Sequence, residues 1–179
     1  MADDTLHPLL ADPDRYQLGT DHEPLRLDNI EQNRLAALLL ARQARRSLHI
    51  VTRDMDPAVY DTAEFDDAIA ELARQSRYAE VRILVNNTEH AIAHGHRLIE
   101  TARRLSSYIQ IRRLRPEQAH YNEAFLVADR RGVLHRGKGD LYEATLEFNN
   151  PARARDLHNE FTSLWEHAEH EPNFQRLHL

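Results

Sequence analysis

The sequence predicts an α/β domain built on a mixed β-sheet flanked by helices. Two observations carry this. Segments with apolar residues at helical spacing alternate along the chain with short β-branched segments, the pattern of layered α/β folds. The short segments are also of two kinds. Leu48–Arg53 (LHIVTR) alternates, as a half-buried strand does, whereas Val81–Val85 (VRILV) is apolar throughout, as a strand covered on both faces is.

Each element has its own signal. Residues 1–28 carry Asp and Pro with little periodicity and read as an irregular arm, anchored by Leu6, Leu9, Leu10, Tyr16 and Leu25. Residues 29–170 form the predicted domain and residues 171–179 a tail. Asn29–Arg46 is a helix with Asp28 as its N-cap, and Ile30, Leu35, Leu38 and Leu39 make its stripe. After the strand Leu48–Arg53, Met55–Ala63 reads as a loop broken by Pro57. Glu64–Ser76 is the second helix, with Phe65, Ile69, Leu72 and Ala73 on one face. Val81–Val85 is followed by a turn at Asn86-Asn87, and Thr88 caps a third helix to about Ser106. Tyr108–Leu114 (YIQIRRL) alternates again. Ala124–Ala128 and Val133–Leu134 are strands around the turn Asp129-Arg130-Arg131-Gly132. Pro151, at a first helical position, opens a last helix to about His167.

Composition bounds the function. A chain of 179 residues, 41% hydrophobic and 29% charged, is long enough for one domain with a real core. The longest apolar run, Leu35–Ala41, is seven residues, so no membrane span is predicted. The N-terminus lacks the basic-then-apolar order of a secretory signal, and the expected location is a bacterial-type cytoplasm. With no cysteine, disulfides, thiolate catalysis and cysteine-based zinc sites drop out. The net charge of −6 is uneven. From Arg97 to Lys138 there are ten basic and four acidic residues, a net +6, which leaves −12 for the remainder. Such a segment faces a phosphate-bearing partner, or it pairs with acids from the other half of the fold. Lys138 is the chain's single lysine, against 22 arginines.

The chemistry turns on the apolar strand Asn122-Glu123-Ala124-Phe125-Leu126-Val127-Ala128-Asp129. It resembles the motif strand of the phospholipase D superfamily, His-x-Lys-x-x-x-x-Asp. Asn122 stands at the His position and Ala124 at the Lys position; Asp129 matches. Gly137-Lys138-Gly139-Asp140 stands where the family carries Gly-Ser-x-Asn. The opening helix and strand, the pair Val81–Val85 and Ile109-Gln-Ile-Arg around a helix, and the closing Phe161-Thr-Ser-Leu-Trp165 helix resemble the family in the same order, over about residues 29–168.

The resemblance implies a single phospholipase D-like lobe that has lost its chemistry. In active members the motif His attacks phosphorus, a second His protonates the leaving group and Lys stabilises the phosphoryl oxygens. Asn122 and Ala124 can do neither job, so the expectation is a non-catalytic binding or regulatory module for a phosphate-bearing ligand, nucleic acid included, or for a protein partner. The enzyme alternative brings His120 to the motif position through a two-residue bulge and uses His120, Asp129 and Lys138 as a phosphodiesterase or nuclease site. The resemblance further places the third strand beside the motif hairpin. Asn122, Asp129, Arg131, Arg136, Lys138 and Arg113 are then the candidate ligand-binding residues, with bidentate arginine contacts to an anion. It also implies a homodimer across the motif face.

No cofactor and no metal are expected. His90 and His94 have the i,i+4 spacing of zinc-binding helices, but no third ligand is identifiable and the solvated reading is preferred. Gly137-Lys138-Gly139 lacks the strand–loop–helix setting of a phosphate loop. Glu64, Asp66 and Asp67 read as the acidic first turn of a helix.

Overall fold

The computed structural model describes residues 6–175. In chain order the helices are α1 Pro8–Ala11, α2 Ile30–Gln43, α3 Pro57–Tyr60, α4 Ala63–Gln75, α5 Glu89–His94, α6 Arg97–Arg104, α7 Pro151–His167 and α8 Pro172–Gln175. The strands are β1 Leu25–Leu27, β2 Ser47–Thr52, β3 Glu80–Val85, β4 Ile109–Arg113, β5 Ala124–Ala128, β6 Gly132–Arg136, β7 Ala144–Glu147 and β8 Glu169–His170. They form one mixed sheet in the order β1-β7-β6-β5-β2-β3-β4-β8. Strands β2, β3 and β4 are parallel, joined by helical crossovers. The chain then returns to the other side of β2, where β5 pairs antiparallel and opens the meander β5-β6-β7.

Alternation along the strands divides the core into two layers. Leu126 and Ala128 of β5, Leu48 and Ile50 of β2, and Val81 and Ile83 of β3 face a large cluster under α2, α4 and α6. Phe125 and Val127, Val51, and Leu84 point the other way, onto Leu157, Phe161 and Trp165 of α7. Both faces of the central strands are therefore dry, which is why VRILV and AFLVA lack polar alternation.

Several predicted elements shift, each for a local reason. Asn29, not Asp28, caps α2: its side-chain oxygen accepts from the Gln32 N–H at 2.9 Å, while Gln32 reaches back to the Asp28 N–H at 2.9 Å. The long third helix is two helices, because Gly95 takes a φ of +76° and ends α5. Pro57 starts the short helix α3 inside the predicted loop. The arm is more regular than expected. It contributes α1 and β1, buries Leu9 and Tyr16, and pairs β1 with β7, whereas Leu6 is 57% exposed and anchors nothing. In the predicted tail, Glu171 and Phe174 are buried. Residues 1–5 of the arm and 176–179 of the tail lie outside the described residues.

His96 replaces a conventional cap at α6. Its ring Nδ1 accepts from the Leu98 N–H at 3.2 Å and its Nε2–H donates to the Met55 carbonyl at 3.1 Å, which fixes a neutral imidazole. Burial pushes its pKa below the usual value, against the pull of Asp61 and Asp66 and with the help of Arg97. His158 is lowered likewise, by burial and then by His49 and Arg130. The folded state thus binds fewer protons than the unfolded chain near pH 6. The corresponding stability is complete above the unfolded histidine value of about 6.5 and falls as pH drops below it. The carboxyl of Glu80, held down by its hydrogen bond with His49, acts in the same direction but below about pH 4.3. Melting temperature should fall between pH 7.5 and 5.5, and His96→Asn, which keeps a capping oxygen, should flatten that fall. An unchanged slope in the variant would remove His96 from the account.

Candidate functional site

Open parallel sheets place sites beyond the carboxyl ends of their strands. Here that end brings together Arg53–Asp56 after β2, Asn86–Asn87 after β3, the entry to β5 and the exit of β6. Asn87 N–H donates to the Arg53 carbonyl at 2.6 Å. The Asn86 side chain donates to the carbonyls of Ala119 and Tyr121 at 3.1 and 2.9 Å, fixing the connector that leads into β5.

The centre of this end is closed. Ala124 is 4% exposed and lies beneath the loop that follows β6. Gly139 N–H donates to the Asn122 carbonyl at 2.6 Å. A Cβ on Gly139 would stand 3.0 Å from that carbonyl, 3.5 Å from the Ala124 Cβ and 3.6 Å from the Arg53 Cβ. The backbone of Gly139 therefore fills the space into which a lysine at position 124 would extend, and glycine is what permits the approach.

Arg136 fastens the same loop. It is 6% exposed. Nε donates to the Leu141 carbonyl at 2.6 Å, Nη2 to the Gly139 carbonyl at 2.8 Å and Nη1 to Asp56 Oδ2 at 2.6 Å. Its guanidinium sits 4.6 Å from the centre of the Tyr142 ring, and the Tyr142 hydroxyl donates to Asp56 Oδ1 at 3.0 Å. Burial, then the Asp56 carboxylate, raise the Tyr142 pKa and keep that hydroxyl a donor. Met55 and Asp56 hold φ values of +65° and +27°, a strained pair of non-glycine residues. The strain is held by Asp56 N–H to Asp54 Oδ1 at 3.0 Å and by the bonds to Arg136, Tyr142 and His96.

Outside the lock is a depression of about 350 Å³. Arg53 and His90 line it together with Asp54, Glu89 and Asp140, and Arg53 pairs with Asp140 at 3.6 Å. With Asp56 and Arg136 of the lock the lining holds four carboxylates against three basic residues, a poor seat for a phosphoryl group.

The candidate residues do not form one site. Asn122, Arg136 and Lys138 lie at this end; Asn122 and Lys138 are exposed and Arg136 is buried in its ion pair. Asp129 lies at the far end of β5, roughly 17 Å along the strand at ~3.3 Å per residue. Its carboxylate accepts from the backbone N–H groups of Arg45, Arg46 and Ser47 at 2.8, 2.8 and 2.9 Å. Arg131 is exposed at that same far end. Arg113 sits at the sheet edge, where Glu169 and Glu171 pair with it at 2.6 and 3.1 Å and the Glu169 hydrogen bond raises its pKa. The expected neighbourhood of third strand and motif hairpin is corrected by the strand order: β2 and β3 lie between β4 and β5. His120 is exposed in the turn before β5, at the opposite end of that strand from Asp129. The His90 and His94 rings stack 4.3 Å apart, and among the described residues no cluster of three metal-ligating side chains includes them. Asp56 and Tyr142 were missed by sequence reasoning, and Gly139 was noted without its packing role. Asp54-Met55-Asp56 directly after a parallel strand was the available signal.

This architecture is that of a phospholipase D-like α/β lobe, and solved structures share it. The archaeal chromatin protein TrmBL2, whose structure shows a novel mode of DNA binding, superposes with a TM-score of 0.62 at 14% identity, over 90% of this chain and 59% of that one. This chain thus spans under two thirds of TrmBL2. Nuc from Salmonella typhimurium, a phospholipase D family member, gives 0.57 at 14% identity over 82% and 97% of the two chains. NucT from Helicobacter pylori gives 0.56 at 16% over 83% and 99%. No curated protein sequence matches. The chain belongs to the family described as Domain of unknown function (DUF7931), matched over residues 29–177. Among the described residues no helix is long and apolar enough to cross a membrane.

Proposed function

We propose that this chain is a non-catalytic phospholipase D-like binding module for a phosphate-bearing polymer. The observation that carries it is the lock over Ala124. A motif pocket that lacks the nucleophile and the lysine, and whose space above Ala124 is taken by Gly139 and the Asp56–Arg136 pair, lacks the groups for phosphoryl transfer. A phospholipase D-like fold in a chromatin protein supports binding as a use of the scaffold. The proposed unit is the domain at 29–170 with residues 6–28 packed on it, in a bacterial-type cytoplasm, acting as a homodimer or with a partner protein.

The test is turnover of bis(p-nitrophenyl) phosphate and of labelled single-stranded DNA by the purified chain, beside His120→Ala and Lys138→Ala. The expected result is no rate above buffer for any of the three. A wild-type rate abolished by His120→Ala would overturn the proposal in favour of a diverged enzyme.

A further inference from the structure

At the sheet end opposite the closed pocket, one knot gathers arginines from three separate turns. Asp129 draws the Arg45–Ser47 backbone against the β5–β6 hairpin through its three amide contacts, and its own N–H donates to the Ser47 carbonyl at 2.9 Å. The hairpin holds Asp129 and Arg130 at φ values of +52° and +56°, which turns Arg130 outward beside Arg45 and Arg46. The turn before β3 joins them: Glu80 N–H donates to the Arg46 carbonyl at 3.0 Å, bringing Arg77 and Tyr78 alongside. Arg45, Arg46, Arg77 and Arg130 are exposed. Among the described residues none of these four forms an ion pair.

The neighbouring carboxylates Asp129 and Glu80 pair with none of the four. Asp129 is engaged with amides, and Glu80 is held by His49 at 2.7 Å and Arg82 at 3.2 Å. Arg42 and Arg74 have a local explanation, since each lies in the last turn of its helix where the dipole favours a cation. Arg45 and Arg77 directly follow the C-caps Ala44 and Ser76 and share this setting, whereas Arg130 in the β5–β6 hairpin does not. Tyr78 adds the second component. It is 75% exposed, with the Arg77 guanidinium 4.8 Å from its ring centre and a hydrogen bond from Arg77 to its hydroxyl.

We propose that this arginine–tyrosine end binds single-stranded nucleic acid, the arginines taking consecutive phosphates and Tyr78 stacking a base. The turns lie on adjacent strands β5, β2 and β3, so they span about 10 Å at ~4.8 Å per strand spacing. That reaches more than one phosphate of a strand. Guanidinium groups bind phosphate bidentately, and an open aromatic face stacks any base. A lipid surface fits less well, because among the described residues Tyr78 is the one exposed large apolar side chain in these turns. The inference rests on the binding-module reading and supplies its surface.

The experiment is fluorescence-anisotropy titration of a labelled single-stranded DNA at 50 and 200 mM salt, with wild type, the triple variant Arg45→Ala/Arg46→Ala/Arg130→Ala, and Tyr78→Ala. Four phosphate contacts predict a log–log salt slope near −2.8 at about −0.7 per contact, roughly a 50-fold loss of affinity between the two salts. The triple variant should bind more than tenfold more weakly at 50 mM salt with a slope shallower by about 2. It keeps the Asp129 contacts, which use backbone amides, and its melt shows whether it folds. Tyr78→Ala should lose about tenfold on single strands and little on duplex. Salt-sensitive binding that survives the triple variant would overturn the assignment of the surface and leave the binding-module reading standing. No binding by wild type would overturn both. Wild-type binding to phosphatidylserine vesicles that the triple variant loses, with no binding to DNA, would replace the nucleic acid with an anionic membrane.

Discussion

Arg136→Ala is expected to destabilise the fold by about 3–5 kcal/mol, the usual cost of leaving a buried charge without its partner. The side chains of Arg136 and Asp56 are 7% and 10% exposed, so little solvent is there to compensate. The substitution strips Asp56 of its cation and leaves the Gly139 and Leu141 carbonyls without their donor. It also opens a void beside Tyr142. Urea unfolding of Arg136→Ala, Asp56→Ala and the double variant would measure this, with the double variant losing much less than the sum. Such non-additivity is the signature of one shared contact. A loss under about 1 kcal/mol would show that the loop is not held by this pair. The pocket over Ala124 could then open, and the phosphate site expected there would return to consideration.

What was legible in the sequence was set by length and periodicity. The helix from Asn29, the strands at Leu48 and Val81, the motif strand and the final helix from Pro151 all carry strong patterns, and all appear. The resemblance in their order reached the correct fold. Strands β1, β7 and β8 have three, four and two residues, too few to show a period, and exist because longer strands offer them an edge. The site was less legible because adjacency in sequence hid distance in the sheet. The basic run from Arg97 to Lys138 passes through β4, β5 and β6, but the parallel crossover carries β4 away from the hairpin by two strands. Alternate ends of β5 then separate Asn122 from Asp129. The run therefore breaks into an edge pair at Arg113, a buried lock at Arg136 and an exposed turn at Arg130. Arg45, Arg46 and Arg77, which complete that turn's surface, lie outside the run altogether. No linear charge count could have joined them, because the joint is a carboxylate bonded to backbone amides.

That joint is also the site of the second large effect. Asp129→Ala is expected to cost about 2–4 kcal/mol. Hydrogen bonds to a charged acceptor contribute roughly 1.5–3 kcal/mol each, and the three made by Asp129 share one carboxylate, so they do not add fully. A residue other than glycine at φ +52° adds strain that Asp and Asn tolerate better than Ala. Asp129→Asn should therefore cost less than half as much, since it keeps the turn preference and one acceptor oxygen. Hydrogen exchange separates this from a general loss of stability. The amides of Arg45, Arg46 and Ser47 should lose protection in Asp129→Ala well beyond those of β3, because only the former donate to the missing carboxylate. Uniform acceleration across the sheet would mean that the knot is not a local device. The one residue that matches the phosphodiesterase motif is then structural in this chain. Its carboxylate lies away from the closed end of the sheet and bonds the Arg45–Ser47 amides at the other.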